Sequence, residues 1–338
     1  MAKVLITGAS GFIGQHLAEA LVAQGDEVTC LVRSTSQPGR LAALPVRLVY
    51  GDVTEPESLP AAVAGQQVVY HLAGRTMALR KEDFHRVNVE GTRNVARACA
   101  RQDTPPVLVM VSSLAAVGPS PKDRPLTEAD LPSPVCHYGR SKWAAEQAAA
   151  EFAEKVPITI VRPPIVLGGG DRVSLPLFSV TPRLRIHLAP TWARYRYSLI
   201  HVADLVHLLV LAAQCGKRLL PKTDGPYSSQ GRYFAACEED PTYADLGRMI
   251  GQEDGGKRVL TLRVASPVSW TVAAVGELLG HLRGKPIYFS LDKCREATAG
   301  SSICSAQAAR DELGFRVQAP LRERLRQTLQ WYRSHGWM

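Results

Sequence analysis

The sequence has no long hydrophobic run, and this absence restricts the kinds of protein that it can encode. No apolar stretch in its 338 residues reaches the roughly 18 residues that a membrane-spanning helix needs. The N-terminal residues contain one lysine followed by a strand-like run, which is not the pattern of a secretory signal peptide. We therefore expect no integral membrane segment and a cytoplasmic location.

The sequence also lacks closely spaced cysteines. The chain has seven cysteines, none of which forms a CxxC pair, and no group of histidines and cysteines has the spacing of a zinc site. They are Cys30, Cys99, Cys136, Cys215, Cys237, Cys294 and Cys304. An odd and dispersed set is typical of reduced thiols in the cytosol. The sequence therefore predicts no metal site.

Positive charge is present without a nucleic-acid motif. The formal net charge is +9, and such an excess attracts nucleic acids, membrane surfaces or anionic cofactors. The charge is spread along the chain, with no aromatic-interleaved basic motif and no helix-turn-helix pattern. We interpret it as solvated surface charge and expect no nucleic-acid partner.

What the chain does contain is a glycine-rich turn between a strand and a helix. Residues 7–14 read TGASGFIG, after the apolar run 3–6 and before a helical pattern that begins at residue 15. Here Gly8 permits the tight turn, Gly11 lets the backbone approach a pyrophosphate, and Gly14 allows close packing of helix on strand. The run predicts dinucleotide binding. The predicted contacts are Thr7, Gly8, Ser10, Gly11, Phe12, Ile13 and Gly14.

Strand-like apolar runs alternate with helical patterns through the first half of the chain. Strands are predicted at 4–6, 27–32, 46–50, 68–72, 107–112 and 158–162, and helices at about 12–24, 56–64, 83–102 and 137–155. This alternation implies a parallel sheet that is covered by helices on both faces. The predicted fold class is therefore α/β, with a Rossmann-type doubly wound sheet over residues 1–165.

After residue 165 the strands become short, and Pro, Gly and Arg become frequent. We expect a smaller substrate-binding lobe over residues 166–338, with a return segment at about 200–215 that rejoins the first domain. Helices are predicted at 242–251, 267–282, 305–313 and 320–334. Residues 215–245 are poorly periodic and are interpreted as a surface excursion. Asp204 is expected to cap a turn or to anchor the returning helix.

The apolar segment 264–282 has three interpretations. It could line a hydrophobic substrate pocket, rest on a membrane surface, or form an ordinary helix that faces the core of the small lobe. We favour the core-facing helix, because Glu277, His281 and Arg283 supply a normal polar face.

The residues that follow the second, third and fourth strands bear on the identity of the dinucleotide. After the second strand, an acid would bond a ribose 2′-hydroxyl, whereas an arginine pairs with a 2′-phosphate. Arg33 therefore favours NADP(H) over NAD(H), with Ser34 as a second phosphate contact; the alternative is an ordinary exposed arginine at a strand end. Asp52, beside Val53, could accept from the adenine amino group or cap the helix near residue 56. The small residues of the run Leu72, Ala73 and Gly74 would let the backbone pass close to the cofactor.

Tyr138 and Lys142 stand four residues apart, so both face the same way on a helix. An ammonium beside a phenol lowers the pKa of the phenol by favouring the phenolate. Tyr138 could then exchange a proton with a carbonyl or an alcohol near neutral pH. Ser113, which follows the strand 107–112, could bond the substrate oxygen. The alternative for Tyr138 is a half-buried helix aromatic.

Together these motifs resemble the extended branch of the short-chain dehydrogenase/reductase superfamily, the NAD-dependent epimerase/dehydratase family, over essentially the whole chain. The matching segments are 7–14, Asp52, 71–74, 87–92, 112–113, Tyr138, Lys142 and 162–168. The resemblance implies that Tyr138 is the acid/base and that Lys142 is its electrostatic partner and a ribose ligand. It also implies that Ser113, which stands five residues before Gly118, holds the substrate oxygen.

The same resemblance implies further contacts and an assembly. Additional cofactor contacts are implied at Asn88, Val111, Ser112, Pro163, Ile165 and Val166. Asn88 would lie in the helix beneath the site, and residues 163–166 would pass the nicotinamide. Relatives often form homodimers through the helices that here span about 83–102 and 137–155.

Two departures separate this chain from the sugar-nucleotide members of the family. Those enzymes typically carry an asparagine where Ile165 stands and an acid where Arg33 stands. The tail at 291–332 looks like that of the dihydroflavonol-reductase and 3β-hydroxysteroid-dehydrogenase relatives. The predicted function is an NADP(H)-dependent carbonyl reductase or alcohol or hydroxysteroid-type dehydrogenase that acts on a fairly apolar small molecule.

Two alternatives remain. A nucleotide-sugar epimerase or dehydratase with bound NAD would share the fold and the Ser-Tyr-Lys triad. A redox-sensing protein would use the cofactor only as a signal, but such relatives usually lose the Tyr-Lys pair that this chain keeps.

Overall fold

A computed structural model describes residues 1–122, 124–189, 191–221, 227–256 and 258–338, with residues 180–184 described by their backbone alone. Its strands are β1 (Lys3–Thr7), β2 (Glu27–Val32), β3 (Arg47–Tyr50), β4 (Val68–His71), β5 (Val107–Val111), β6 (Ile158–Arg162), β7 (Ile165–Leu167), β8 (Ile186–Ala189), β9 (Leu199–His201), β10 (Arg232–Phe234) and β11 (Leu260–Arg263). Seven of them form one parallel sheet in the order β10-β6-β5-β4-β1-β2-β3. Two short parallel pairs, β7 with β9 and β8 with β11, lie outside it. The predicted Rossmann-type fold is confirmed.

Helices fill the connections between the strands. They are α1 (Phe12–Ala23), α2 (Pro60–Val63), α3 (Lys81–Phe84), α4 (Gly91–Ala100), α5 (His137–Ala150), α6 (Leu175–Leu184), α7 (Val202–Cys215), α8 (Tyr243–Glu253), α9 (Ser266–Leu282), α10 (Leu291–Thr298), α11 (Gln307–Leu313) and α12 (Leu321–Ser334). A π-helical segment, His85–Glu90, joins α3 to α4, so the predicted helix 83–102 consists of three consecutive segments. The sequence analysis predicts neither α6 nor α10.

The central sheet is buried on both faces, as parallel sheets between helices usually are. Successive residues of β1 show this, because Leu5 and Ile6 point to opposite faces and both are fully buried. Ile6 joins a core with α1 and α7, and Leu5 joins a second core with α4 and α5. β1 pairs with β2 on one side and β4 on the other. The carboxyl ends of β1 and β4 therefore border the crevice at which such sheets bind ligands.

The second half of the chain returns to the central sheet more often than predicted. Residues 215–245, interpreted above as a surface excursion, contain β10, the seventh strand of the sheet; residues 222–226 lie outside the described part. Residues Cys304, Leu313 and Phe315 also pack into the core that contains Ile6. The division of the chain at residue 165 stays a prediction.

A smaller core lies beyond the main sheet. It gathers apolar residues of β7, β9, α6, α8 and α12, among them Phe178, Ile250 and Leu325. Asp204 in α7 ties this core to the sheet, because its carboxylate accepts from Arg324 Nη2 at 2.6 Å and from Arg324 Nε at 2.8 Å. As predicted, Asp204 therefore anchors the returning helix α7.

The structure contradicts the prediction that α9 is a core-facing helix. The favoured interpretation places its apolar residues in the core, but the structure exposes them to solvent. They are Val268, Val272, Val275, Leu278, Leu279 and Leu282. The buried positions are the small residues Ser269, Ala273 and Gly280, and Glu277 faces inward to accept from Leu291 N at 3.0 Å. Within the described residues, no helix has both the length and the apolar character needed to cross a bilayer.

A buried ion pair holds α5 against the sheet. The Glu146 carboxylate accepts from Arg162 Nη2 at 2.6 Å, from Arg162 Nε at 2.9 Å and from the Ser112 hydroxyl at 2.6 Å. Arg232 in β10 adds a second cation, 3.5 Å from the same carboxylate. These guanidinium groups hold the pKa of Glu146 below its usual value despite burial. One carboxylate thus connects β5, α5, β6 and β10.

We expect Arg162→Leu to lower the free energy of unfolding by about 3–5 kcal/mol, because it leaves a buried carboxylate with an incomplete set of partners. Chemical denaturation followed by circular dichroism measures the change. The matched control is Arg124→Leu, which removes the exposed pair with Asp130 and should leave the midpoint nearly unchanged. Equal midpoints for the two variants would contradict the role assigned to the buried pair.

Candidate active site

The glycine loop brings the ends of β1 and β4 into direct contact. Gly8 has a φ of +73°, and a Cβ there would lie 2.6 Å from Ala73 N and 2.8 Å from the Leu72 carbonyl carbon. A Cβ on Gly14 would lie 2.4 Å from Gly8 O. Only glycine fits either position, because the strand ends and α1 approach more closely than a side chain allows. The predicted cofactor residues 8, 14, 72 and 73 are thus neighbours.

The rest of the loop leads into α1. Gly11 is exposed, and its N–H donates to Gly8 O at 3.0 Å. Ser10 O accepts from the Gln15 side chain at 2.8 Å, and Phe12 and Ile13 pack partly buried against the main core. The start of α1 therefore offers N–H groups and the positive end of its dipole beside an exposed glycine, which is a donor set for a pyrophosphate.

A chain of buried hydrogen bonds runs beneath the loop. Thr7 Oγ1 lies 2.7 Å from His71 Nδ1, and His71 Nε2 lies 2.9 Å from Thr92 Oγ1. Thr92 donates its own proton to Asn88 O at 2.6 Å. The Thr92 oxygen therefore accepts from His71 Nε2–H, and Thr7 donates to Nδ1. Burial, with the charge of Lys142, lowers the pKa of His71 to about 3, so the imidazole is neutral.

An unpaired arginine marks the end of β2. Arg33 and Ser34 are exposed, and the Arg33 guanidinium makes no ion pair or side-chain hydrogen bond with any residue in the described ranges. The nearby Arg40 differs, because its Nε donates to Gln15 Oε1 at 3.2 Å and its Nη1 to Glu19 at 3.3 Å. Arg33 is thus the arginine of this edge that can bind an anion.

Asp52 shapes its own loop. Its Oδ1 accepts from Thr54 N and from Thr54 Oγ1, both at 2.8 Å, so it does not cap the helix near residue 56. Its Oδ2 has no hydrogen bond to a residue in the described part of the chain. Val53 is buried, and its carbonyl accepts from Asn94 Nδ2 at 3.0 Å. The Asp52 carboxylate thus keeps one oxygen available to bond an adenine.

Asn88 fastens the segment after β4 to α5. Its Oδ1 accepts from Arg75 N at 2.7 Å, and its Nδ2 donates to Arg75 O at 3.0 Å and to Ser141 Oγ at 2.8 Å. Ser141 in turn donates to Tyr138 O at 2.7 Å. Asn88 therefore positions backbone on both sides of the crevice from beneath it.

Lys142 lies between the ends of β4 and β5. Its ammonium donates to Val111 O at 2.7 Å, and a Cβ on Gly74 would lie 3.8 Å from Lys142 Nζ. Burial lowers the pKa of this lysine to about 8, and the charge of Glu146 opposes the shift. Gly74, Val111 and Lys142, which are predicted site residues, are therefore neighbours in the structure.

Ser113 and Tyr138 meet at the carboxyl end of β5. The Ser113 hydroxyl lies close enough to the phenol of Tyr138 to lower its pKa, and it accepts from Ala115 N at 3.2 Å. The ring of Phe84 lies 6.1 Å from that of Tyr138 between centroids. Burial raises the pKa of Tyr138 to about 12, although the Ser113 hydroxyl lowers it. The phenol is thus protonated at neutral pH.

The structure differs from one prediction here. The phenol pKa is raised rather than lowered, because burial outweighs the Ser113 hydroxyl and the charge of Lys293, both of which lower it. The hydroxyl of Ser112 donates to Glu146, and the predicted cofactor contact of this residue stays a prediction. Its side chain is therefore committed to the buried ion pair, which leaves Ser113 as the hydroxyl beside Tyr138.

Residues after β6 form a short strand that the sequence analysis does not predict. Pro163 is buried, and its carbonyl accepts from Leu114 N at 2.8 Å. Ile165 opens β7 and is 40% exposed, and Val166 packs partly buried against the main core. This segment thus presents an apolar side chain at the position where sugar-nucleotide relatives typically carry an asparagine.

Helix α10 supplies residues that no motif indicates. The Asp292 carboxylate accepts from His137 N at 2.6 Å and from Tyr138 N at 3.1 Å, and it thereby caps the N-terminus of α5. Lys293 pairs with Glu296 at 2.9 Å, and both groups act electrostatically on Tyr138. A separation of 154 residues between Asp292 and Tyr138 leaves no local signal in the sequence.

A cleft of about 160 Å³ lies beside the start of α5. Its lining includes Phe84 and His137, together with residues from the second half of the chain. The latter include Glu277, Gly280, Ile287 and Asp292. The start of α5 and the region around α9 and α10 thus share one concave surface.

Comparisons with known proteins agree with this geometry. The sequence profile of the NAD dependent epimerase/dehydratase family matches residues 4–223. Ceramide reductase of Caulobacter vibrioides is 31% identical over 339 residues, which cover 99% of this chain and 96% of that protein. The 3 beta-hydroxysteroid dehydrogenase type 7 of Rattus norvegicus is 35% identical over 161 residues, 44% of this chain and 47% of that protein.

A solved structure extends the comparison to the whole fold. UDP-glucose 4-epimerase of Thermus thermophilus, in complex with NAD, has a TM-score of 0.72 with this chain at 20% identity, covering 98% of this chain and 99% of the other. At that identity the likeness concerns the fold. Because the family profile spans the glycine loop and the segment with Ser113, Tyr138 and Lys142, the chain belongs to the NAD dependent epimerase/dehydratase family.

Proposed function

We propose that the protein is an NADP(H)-dependent oxidoreductase that reduces the carbonyl group of a largely apolar substrate. The observation that supports this most directly is the proximity of Ser113 to Tyr138, because the serine hydroxyl acts on the phenol and lowers its pKa. A serine hydroxyl and a protonated phenol are thus neighbours near the carboxyl end of β5. Such a pair can bond one substrate oxygen and donate a proton to it.

The residues around the glycine loop fit a dinucleotide. The helix N-terminus and the exposed Gly11 would hold the pyrophosphate, and the unpaired Arg33 with Ser34 would hold a 2′-phosphate. Asp52 would bond the adenine. Lys142 would bond the nicotinamide ribose, and the segments 72–74 and 163–166 would border the ring. When bound, NADP(H) supplies or accepts the hydride.

The protein groups have separate tasks in the proposed reduction. Ser113 orients the carbonyl oxygen and stabilises the charge that develops on it. Tyr138 delivers the proton to that oxygen, and its raised pKa keeps the phenol in the donating form at neutral pH. Lys142, held by Val111 O, places a positive charge beside the crevice that favours the phenolate left after proton transfer.

The substrate side favours an apolar molecule over a sugar nucleotide. Ile165 presents a hydrocarbon side chain that cannot bond a nucleotide diphosphate. The full-length similarity to a protein named ceramide reductase supports the same choice.

The experiment that tests the function follows NADPH absorbance with the purified full-length protein. We expect oxidation of NADPH with long-chain keto lipids or steroid ketones, and no conversion of UDP-sugars. Release of tightly bound NAD on denaturation, together with interconversion of UDP-sugars without net NADPH consumption, would replace the proposal with the epimerase alternative.

We expect Tyr138→Phe to lower kcat by about a hundredfold or more while NADPH binding is kept, because the variant loses only the transferable proton. Single-turnover kinetics and cofactor titration measure the two quantities. The control is Tyr70→Phe, the same change at a buried tyrosine of β4, and it should keep its turnover. Full activity in Tyr138→Phe would rule out the proposed proton donor.

We expect Arg33→Ala to raise the Kd for NADPH by about tenfold or more and to leave the Kd for NADH nearly unchanged, since a hydrogen bond to a charged group contributes about 1.5–3 kcal/mol. Titration of cofactor fluorescence measures both constants. Arg40→Ala is the matched control, because Gln15 and Glu19 already occupy that guanidinium. An equal rise in Kd for NADPH and NADH in Arg33→Ala would show that the arginine does not bind the 2′-phosphate.

A further inference from the structure

Helix α9 has its small residues inside and its large apolar residues outside. Ser269, Ala273, Gly276 and Gly280 follow one another at intervals of four, three and four residues, which is one face of a helix. A Cβ on Gly276 would lie 2.9 Å from Phe289 O, and one on Gly280 would lie 3.1 Å from Lys285 O. This small-residue face therefore packs closely on the backbone of residues 285–289.

The opposite side of α9 is a continuous apolar surface, called here the α9 face. It consists of Val268, Val272, Val275, Leu278, Leu279 and Leu282. Leu278 is 61% exposed and Leu282 is 76% exposed. With 17 residues, the helix is about 25 Å long, so the α9 face is far larger than an isolated surface leucine. Exposed surfaces of this kind mark a binding site.

Unpaired cations flank α9 along the sequence. Between residues 258 and 289 the sequence has four arginines and lysines, Arg258, Arg263, Arg283 and Lys285, and one acid, Glu277. None of the four forms an ion pair with another residue in the described ranges. Glu277 is turned inward to Leu291 N. A lipid surface with anionic headgroups matches this combination of an apolar stripe and flanking cations.

We propose that the α9 face docks on the surface of a bilayer that contains anionic lipids. Helix α9 lies parallel to the membrane, with its valines and leucines among the acyl chains and the flanking arginines and lysine at the headgroups. The helix does not cross the membrane. This interaction is separate from the proposed catalysis, because none of the six apolar residues belongs to the catalytic or cofactor-binding residues.

The position of α9 gives the docking a consequence for the cleft. Glu277 and Gly280 line the cleft beside the start of α5, while Leu278 and Leu279, their neighbours in sequence, belong to the α9 face. Docking therefore brings the cleft close to the membrane, where a lipid-soluble substrate is concentrated.

Vesicle flotation of the full-length protein tests the proposal without requiring turnover. We expect the protein to float with vesicles of phosphatidylcholine and phosphatidylglycerol, to float less with phosphatidylcholine alone, and to lose binding as salt is raised. The double variant Leu278→Gln, Leu282→Gln should partition about tenfold or more weakly, because both side chains lose apolar contact with the acyl chains.

Two further variants separate the contributions. Leu131→Gln changes a leucine that is 72% exposed outside α9 and should bind vesicles as the unchanged protein does. The double variant Arg283→Gln, Lys285→Gln should lose the preference for anionic vesicles and keep the weaker binding to phosphatidylcholine. Thermal melting of each variant verifies that the fold is retained.

Three results would overturn the proposal. The first is an unchanged protein that stays unbound with both kinds of vesicle. The second is an α9 double variant that floats as well as the unchanged protein. The third is an unchanged protein that is unbound to vesicles but dimeric in size-exclusion chromatography, with the dimer lost in the α9 double variant, since this would assign the α9 face to a second copy of the chain.

Discussion

The position of the candidate site depends on one buried carboxylate, that of Glu146. Tyr138, Lys142 and Glu146 recur every four residues and form one stripe along α5. The last of them is bonded to Arg162 and Ser112 inside the protein. A buried carboxylate tolerates few arrangements of its partners. Fixing Glu146 therefore fixes the rotation of α5 about its axis, and with it the direction in which the phenol and the ammonium face the crevice.

The two halves of the chain contribute different properties to this site. The sheet supplies the groups with chemistry, because Ser113 follows β5 and the glycine loop follows β1. The second half sets their environment. Asp292 caps the catalytic helix, and Lys293 and Glu296 act on the phenol. Since α9 is joined to α10 through residues 283–290, the proposed docking surface and the cap of α5 belong to one continuous segment.

The sequence predicts what is encoded locally. Apolar runs locate the strands, and the spacing of Gly8, Gly11 and Gly14 locates the turn, because each signal lies within a few neighbouring residues. The contact of Asp292 with α5 leaves no such signal, and β10 is too short to be periodic. Helix α9 shows a different limit. Its periodicity reveals an apolar stripe, but the choice of the buried side depends on the backbone of 285–289, which only the tertiary structure supplies.

Two contacts hold α5, one at Glu146 and one at its N-terminus. They differ in the number of residues that separate the two partners along the chain. Glu146 and Arg162 are separated by 16 residues, whereas Asp292 and Tyr138 are separated by 154. Closing a long loop costs more chain entropy than closing a short one. During synthesis, Glu146 and Arg162 are also made well before Asp292, so α5 can dock on its sheet before its N-terminus can be capped. The full surroundings of the phenol can form only after residues 292–296 have been made.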